Sequence, residues 1–275
     1  MPDGDSQPTT PWFKPLLLLG SVPLAAVTYM GAVVLFAVTA VWRARRRPYR
    51  FSSYLQQMEF AGVGSLGIIL LTGTFTGAVF AIQTSVAFGI FNAKALIGGS
   101  VTQALVLELA PTIGALMVAG RVGSAMTTEL GTMRVTEQID ALETMAVDPL
   151  HYLVAPRLVA TTVMMPMLTI AFNGVGMVGA YLVCTSLLGI DRASFFSRIY
   201  AWLIPSDIYC SVVKGTAFGA IIGAIALYKG FNASGGSRGV GLATTSTVVT
   251  ASVTVLIVDY LITSLWMVIF PSMAI

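Results

Sequence analysis

Residues 60–90 read FAGVGSLGIILLTGTFTGAVFAIQTSVAFGI, a run without a single charged side chain. A transmembrane α-helix needs roughly 20 predominantly apolar residues, so this run alone is long enough to cross a bilayer. Further charge-free or nearly charge-free runs occupy residues 16–42, 99–127, 158–190 and 208–275. The last of these is interrupted near 229–238 and is long enough for two spans. The sequence therefore predicts an all-α polytopic membrane protein.

Composition excludes the soluble alternatives. The 275-residue chain is 56% hydrophobic and only 10% charged, whereas soluble domains carry about 25% charged residues. A transmembrane β-barrel is disfavoured, because its strands would alternate apolar and polar residues in segments of about ten. Run 16–42 is too long for the apolar core of a cleavable signal peptide. The two cysteines, Cys184 and Cys210, indicate no metal site.

The distribution of positive charge predicts the orientation of the spans. Five arginines crowd into residues 43–50, RARRRPYR. Clustered arginines beside a span mark the cytoplasmic side; a nucleic-acid or phosphoinositide patch is the alternative. We expect spans at about 58–90, 99–128, 155–190, 208–229 and 243–271, with a cytoplasmic N-terminus and an external C-terminus. Run 16–42 is long enough to span, but Gly20, Pro23 and Gly31 would also let it bend back or lie shallow in one leaflet.

Residues 129–157, ELGTMRVTEQIDALETMAVDPLHYLVAPR, form the one long polar interval between apolar runs. Thr136 is a good N-cap, and Asp148 and Pro149 are a stop signal, so the pattern predicts a cytoplasmic helix over about 136–147. One stripe of this helix is apolar (Ile139, Leu142 and Met145 or Ala146) and another is acidic (Glu137, Asp140, Glu143). Anionic lipid would repel the acidic stripe, so we expect the helix to dock onto a partner protein.

Glu108, Lys214 and Asp259 fall well inside predicted spans, where charge is expensive and usually functional. Glu59 and Arg121 lie near the ends of spans, where they could snorkel to the interface. Glu108 lies roughly 13 Å and Lys214 roughly 9 Å from the outer surface, counted at 1.5 Å per residue. Both therefore lie at similar depth, as an ion pair that lines a cavity or as a purely structural pair. Asp259 lies in the last span and must face protein or water.

Small residues recur every four positions at Gly73 and Gly77 and again at Gly215, Gly219 and Gly223. This spacing favours close helix contacts, either within the chain or at a dimer seam.

The sequence shows no catalytic arrangement. His151 is the only histidine and lies in the polar interval, where we expect it to be exposed or at an interface. The chain has no GxxxxGK[ST] sequence, so GGSRGVG (235–241) predicts a tight turn rather than a phosphate-binding loop. If transport is driven by ATP, another polypeptide must hydrolyse it. No cofactor, metal or nucleic-acid partner is expected.

Two segments carry a resemblance to a known family. Residues 108–157, ELAPTIGALMVAGRVGSAMTTELGTMRVTEQIDALETMAVDPLHYLVAPR, closely resemble the signature region of the MlaE/YrbE family of ABC-transporter permeases. GVGLATTSTVV (239–249) and the VDY around Asp259 resemble the last span of that family, and the likeness covers about residues 50–270. The resemblance implies a membrane-embedded elbow helix followed by five transmembrane helices. It divides the chain into a polar tail (1–15), an elbow helix with a basic link (16–50) and a permease domain (51–275).

The resemblance also implies partners and a cargo. Such permeases are homodimers with two cytoplasmic ABC ATPase subunits and an MCE-domain lipid-binding protein outside, often with a STAS-domain protein inside. The cargo would be a phospholipid or related lipid, and the location the bacterial inner membrane.

Site residues are implied as well. Helix 136–147, including Gln138, would be the coupling helix that contacts the ATPase. Glu108, Leu107, Lys214 and Asp259 would line the lipid cavity. Leu107 departs from relatives that carry arginine at that position. Arg121, Glu129 and Arg134 belong to the cytoplasmic side of the signature region.

The leading hypothesis is therefore the permease subunit of an ABC-type lipid transporter. The alternatives are an ion- or proton-coupled secondary carrier that uses Glu108, Lys214 and Asp259, and an intramembrane lipid-modifying enzyme, which the missing nucleophile and base disfavour.

Overall fold

The computed structural model describes residues 13–44, 51–91 and 93–270, and within these ranges the chain is helical without any strand. We number the helices in chain order: α1 Phe13–Ala44, α2 Phe51–Gly89, α3 Ile97–Val135, α4 Gln138–Thr144, α5 Leu150–Ser186, α6 Arg192–Trp202, α7 Pro205–Phe231 and α8 Gly236–Ile269. Six of them (α1, α2, α3, α5, α7 and α8) are long and apolar enough to cross a membrane. The all-α polytopic fold is thereby confirmed. Most of the predicted polar tail, most of the basic link (Arg45, Arg46, Arg47 and Arg50) and residues 271–275 lie outside the described residues.

Helix α1 begins at Phe13, three residues before the predicted apolar run, and runs unbroken through Pro23 and Gly31. The structure thus has a single helix where the sequence allowed a bend. At 1.5 Å per residue it is about 48 Å long, more than the about 30 Å of the hydrocarbon core. Tyr29 and Phe36 pack edge-on against the Tyr228 ring of α7, with ring centroids 5.6 Å apart in both pairs. The role of α1 as an elbow helix stays a prediction.

The bundle is built on close backbone contacts of α5 with α2 and α7. A Cβ atom placed on Gly77 of α2 would lie 1.9 Å from the Gly176 carbonyl oxygen of α5. A Cβ atom on Gly219 of α7 would lie 2.5 Å from the Thr161 oxygen of α5. A side chain at either position would collide with the α5 backbone, so only glycine permits such approaches. Close packing matters here because lipid supplies little hydrophobic force between helices. Both small-residue stripes therefore make contacts within the chain.

Among the described residues, four π-helical turns interrupt the long helices: Glu59–Val63 in α2, Leu105–Leu109 and Ala119–Gly123 in α3, and Leu150–Val154 at the start of α5. Single π-turns inside α-helices occur frequently at functional sites. The two π-turns of α3 contain Glu108 and Arg121, which directs attention to this helix.

Candidate functional site

A buried lysine joins three helices in the interior of the bundle. The side chain of Lys214 on α7 is fully buried, and its Nζ lies 2.8 Å from Asp259 Oδ1 on α8 and 3.0 Å from Glu108 Oε2 on α3. The same Nζ donates a hydrogen bond of 2.8 Å to the Leu107 carbonyl oxygen. The structure thus brings together all four residues that the sequence assigned to a cavity.

The Leu107 carbonyl is available to the lysine because of Pro111. In a regular α-helix the carbonyl of residue 107 would accept from the N–H of residue 111, and proline has no N–H. The π-turn Leu105–Leu109 widens the helix at the same place. Lys214 replaces the missing donor, which a buried carbonyl needs. Sequence reasoning singled out Leu107 for its side chain and missed this role of its carbonyl; the proline four residues later is the signal that reveals it.

The cluster has one cation and two carboxylates, which gives a formal charge of −1 when all three groups are ionised. Asp259 is 16% exposed and Glu108 41% exposed, so Glu108 is the member that faces out of the protein. The Thr263 hydroxyl is placed to donate to Glu108 Oε1 at 3.1 Å or to the Asp259 carbonyl at 2.9 Å, one turn away on α8. The cluster is therefore a polar centre among apolar helices. Its exposed member, the Glu108 carboxylate, can bind a polar or cationic group.

The polar interval folds into a shorter helix than predicted. Helix α4 covers only Gln138–Thr144, so the predicted bounds of 136–147 are wrong, as is the N-cap at Thr136. Thr136 ends α3; its hydroxyl donates to the Thr132 carbonyl four residues back and accepts from Gln138 Nε2, and no side chain caps α4. Glu137 takes the N-cap position in the left-handed region, with φ 59°. A second left-handed residue, Ala146 at φ 57°, follows α4 before the expected stop at Asp148.

The two stripes of α4 are only partly as expected. Ile139 is fully buried and Leu142 packs against the core, whereas Met145 is 64% exposed and does not join the apolar face. The acidic residues Glu137, Asp140 and Glu143 are exposed, as predicted, and so is Gln138.

Three ion pairs fix the α4 end of the bundle. Arg134 on α3 pairs with Asp140 on α4, and Arg43 on α1 pairs with Asp148 at 2.6 Å. Arg157 on α5 is 4% exposed and pairs at 2.6 Å with Glu129 on α3. Arg134 thereby ties α4 to α3, the other two pairs join α1 to the segment after α4 and α5 to α3, and the acidic face of α4 stays open.

Arg121 lies apart from both groups, on the exposed side of the π-turn Ala119–Gly123. Its Nη1 donates 2.8 Å to the hydroxyl of the buried Ser65 on α2. His151 is partly buried in the π-turn that opens α5. Within the described ranges, histidine, cysteine and carboxylate side chains form no group of three that could hold a metal ion.

Comparison with known proteins gives the family. The model of the family described as Permease MlaE matches residues 54–265. A probable ABC transporter permease protein of Rickettsia conorii is 41% identical over 237 residues, which cover 86% of this chain and 92% of the relative. The intermembrane phospholipid transport system permease protein MlaE of Haemophilus influenzae is 41% identical over 216 residues, or 78% and 83% of the two chains. The chloroplastic protein trigalactosyldiacylglycerol 1 of Arabidopsis thaliana is 38% identical over 233 residues, 85% of this chain and 67% of the relative.

These matches cover the helices that carry both the lysine cluster and α4, and they confirm the resemblance found in residues 108–157. The chain belongs to the MlaE permease family.

Proposed function

We propose that this chain is the transmembrane permease subunit of an ABC-type lipid transporter. It moves phospholipid or a related lipid between the inner membrane and an MCE-domain partner, as a homodimer powered by separate ATPase subunits. The observation that carries the proposal is the cluster of Lys214, Glu108 and Asp259, a polar centre held at membrane depth by three helices. A named relative of the chain is the permease of an intermembrane phospholipid transport system.

The charges support one orientation. Arg134, Arg157, Lys229 and Arg238 lie at or near the end of the bundle that bears α4, and Lys94, Arg192 and Arg198 at the other. Arg43, in the last turn of α1, adds to the first end through its ion pair with Asp148. The positive-inside rule favours a cytoplasmic α4 and a periplasmic C-terminus. With α1 as an elbow helix that does not cross the membrane, the N-terminus is cytoplasmic as well.

In this orientation α4 is the coupling helix. Its buried Ile139 anchors it to the bundle, and its exposed carboxylates offer a surface that complements a basic groove on an ATPase. ATP binding by the partner would then move α4 and, through the ion pairs of Arg134 and Arg157, the cytoplasmic ends of α3 and α5. A STAS-domain protein would join on this side and the MCE-domain protein at the periplasmic end.

Charge reversal on α4 tests the coupling. Glu143 is exposed and has no ion pair within the described residues, so Glu143→Arg changes the docking surface without breaking the Arg134–Asp140 pair. We expect this variant, alone and with Glu137→Arg, to lose the stimulation of a co-purified ATPase by lipid vesicles while the bundle stays folded. Asp191→Asn, a change at the cap of α6 at the far end, is the control. Full stimulation by both α4 variants would contradict the role of α4.

A second candidate, an ion- or proton-coupled carrier, is favoured by one observation. A buried lysine shared by two carboxylates resembles the charge sets that carry protons in transporters. Such a carrier would work without an ATPase and follow a pH gradient.

A further inference from the structure

A buried carboxylate near the start of α7 has no counter-charge among the described residues. Asp207 is fully buried, two residues after α7 begins at Pro205 and therefore about 3 Å along its axis. Its Oδ2 accepts a hydrogen bond of 3.2 Å from the Ile204 N–H at the end of the helix. Its Oδ1 is also buried and has no hydrogen-bond partner in the described part of the chain. Since Oδ2 faces the helix end and the side chain does not reach solvent, Oδ1 points into the bundle.

A second unpartnered oxygen lies one turn further along. Ser211 follows Asp207 by four residues on α7, so the two share a face with Cβ atoms about 5–6 Å apart. Asn173 of α5 donates from Nδ2 to Ser211 Oγ at 3.1 Å. Asn173 is 8% exposed, and its Oδ1 is buried without a partner among the residues that the structure describes. The contact of α5 with α7 thus holds three neighbouring oxygens, and two of them accept from nothing in the described chain.

The missing partner is a cation rather than a neutral donor. A buried carboxylate is costly without a counter-charge, and buried charges are normally paired or bind a metal ion. Asp207 takes part in none of the ion pairs between described residues. Lys214 lies seven residues further, about 10 Å along α7, and is already shared by Glu108 and Asp259. The positive end of the α7 dipole offsets only part of one charge, so Asp207 still lacks positive charge.

The three oxygens match the preferences of a small alkali cation. Carboxylate, amide carbonyl and hydroxyl oxygens are hard ligands, which suit hard cations. A single carboxylate with two neutral oxygens balances one positive charge, which favours Na⁺ over Ca²⁺ or Mg²⁺. The way in is short, because Asp207 lies within one turn of the exposed Pro205.

We propose that the contact of α5 with α7 binds one Na⁺ ion on Asp207 Oδ1, Asn173 Oδ1 and Ser211 Oγ. The ion joins the two helices at the end of the bundle opposite α4 and neutralises a carboxylate that Lys214 does not reach. The site goes beyond the function proposed above and does not rest on it, since the argument uses only oxygens and charges inside the bundle.

Sodium binding and thermal unfolding test the site together. The full chain in phosphatidylcholine nanodiscs is immobilised on scintillation beads and equilibrated with radioactive sodium, and we expect saturable binding of about one ion per chain. Unfolding is then followed in detergent micelles, in NaCl and in N-methyl-D-glucamine chloride at constant ionic strength. A ligand that binds only the folded state stabilises it in proportion to the logarithm of its concentration. Above the dissociation constant, the midpoint should rise by about 3–6 °C for each tenfold increase in Na⁺.

Variants identify the ligands. Asp207→Asn keeps the size of the side chain but removes its charge, and should abolish both saturable binding and the Na⁺-dependent shift. Ser211→Ala removes one neutral ligand and should weaken binding about tenfold, the value of a modest interaction with a charged group. Ser211→Ala also keeps the test decisive if Asp207→Asn fails to fold. Asp191→Asn is the matched control, because Asp191 also accepts backbone N–H groups at the start of a helix but is exposed. It should keep the full response to Na⁺.

Three results would overturn the proposal. Equal midpoints in the two salts, without saturable binding, would show that the Asn173 amide faces the other way and donates from Nδ2 to Asp207 without an ion. Stabilisation that follows falling pH instead of rising Na⁺ would place a proton on Asp207 Oδ1. Binding that survives Asp207→Asn unchanged would put the ion elsewhere in the bundle.

Discussion

Replacement of Lys214 by methionine tests how the buried cluster stabilises the bundle. The substitution keeps an apolar stem of similar length but removes the cation that faces Asp259 and Glu108 and the donor to the Leu107 carbonyl. Removal of one partner from a buried ion pair typically costs about 3–5 kcal/mol, because an uncompensated charge stays behind. We expect Lys214→Met to lower the free energy of unfolding by an amount in that range.

The exposure of the two carboxylates decides how that loss divides. Asp259 is 16% exposed, and its Oδ1 makes the ion contact with Lys214 without a hydrogen bond among the described residues, so we expect its coupling to Lys214 to be the larger of the two. Glu108 is 41% exposed, and solvent screening reduces its coupling to about 0–1 kcal/mol. The second substitution Asp259→Asn should therefore restore part of the stability of Lys214→Met, and Glu108→Gln should restore less.

The assay is reversible unfolding in mixed detergent micelles, followed by far-ultraviolet circular dichroism. Two double-mutant cycles, Lys214 with Asp259 and Lys214 with Glu108, give the couplings directly. A neutral Lys214→Met variant would refute the reasoning. So would a coupling to Glu108 that equals or exceeds the coupling to Asp259.

Two further substitutions test the packing of α2 against α5 and the attachment of α4 to the bundle. Gly77→Ala places a methyl group against the Gly176 oxygen of α5 and should cost about 1–3 kcal/mol in the same unfolding assay. Gly67→Ala on the same helix meets nothing within 4 Å and should be neutral or slightly stabilising; equal effects would show that the α2–α5 contact is not tight. Arg134→Met removes the partner of Asp140 on α4, and amide hydrogen exchange within α4 should become faster while α7 keeps its protection. Unchanged exchange in α4 would mean that this ion pair does not hold the helix.

The pairing of Glu108 with Lys214 could be anticipated from sequence, whereas Asp259 was expected only to face protein or water. Apolar runs fix where each span begins, and a constant rise per residue converts position into depth, so Glu108 and Lys214 were placed at similar levels. The high cost of charge in lipid then requires them to find partners. Because this cost applies along every span, the sequence also predicts the class of fold.

Local backbone geometry could not be anticipated in the same way. Thr136 has the right residue type for an N-cap, but its hydroxyl donates to the Thr132 carbonyl at the end of α3. The sequence reads the same whether a threonine begins one helix or ends the one before it. The π-turns at Leu105–Leu109 and Ala119–Gly123 each depend on packing against neighbouring helices. They place the Leu107 carbonyl and Arg121, which periodicity alone does not locate.

Lipid transfer by purified components tests the central claim most directly. The chain and its ATPase partner are reconstituted in proteoliposomes with a fluorescent phospholipid, and transfer is followed with ATP, without ATP, and under an imposed pH gradient. The proposed function predicts transfer that requires ATP hydrolysis, that is lost in Glu143→Arg, and that a pH gradient alone does not drive. Transfer by the chain alone that follows the pH gradient would contradict it and establish a proton-coupled carrier instead.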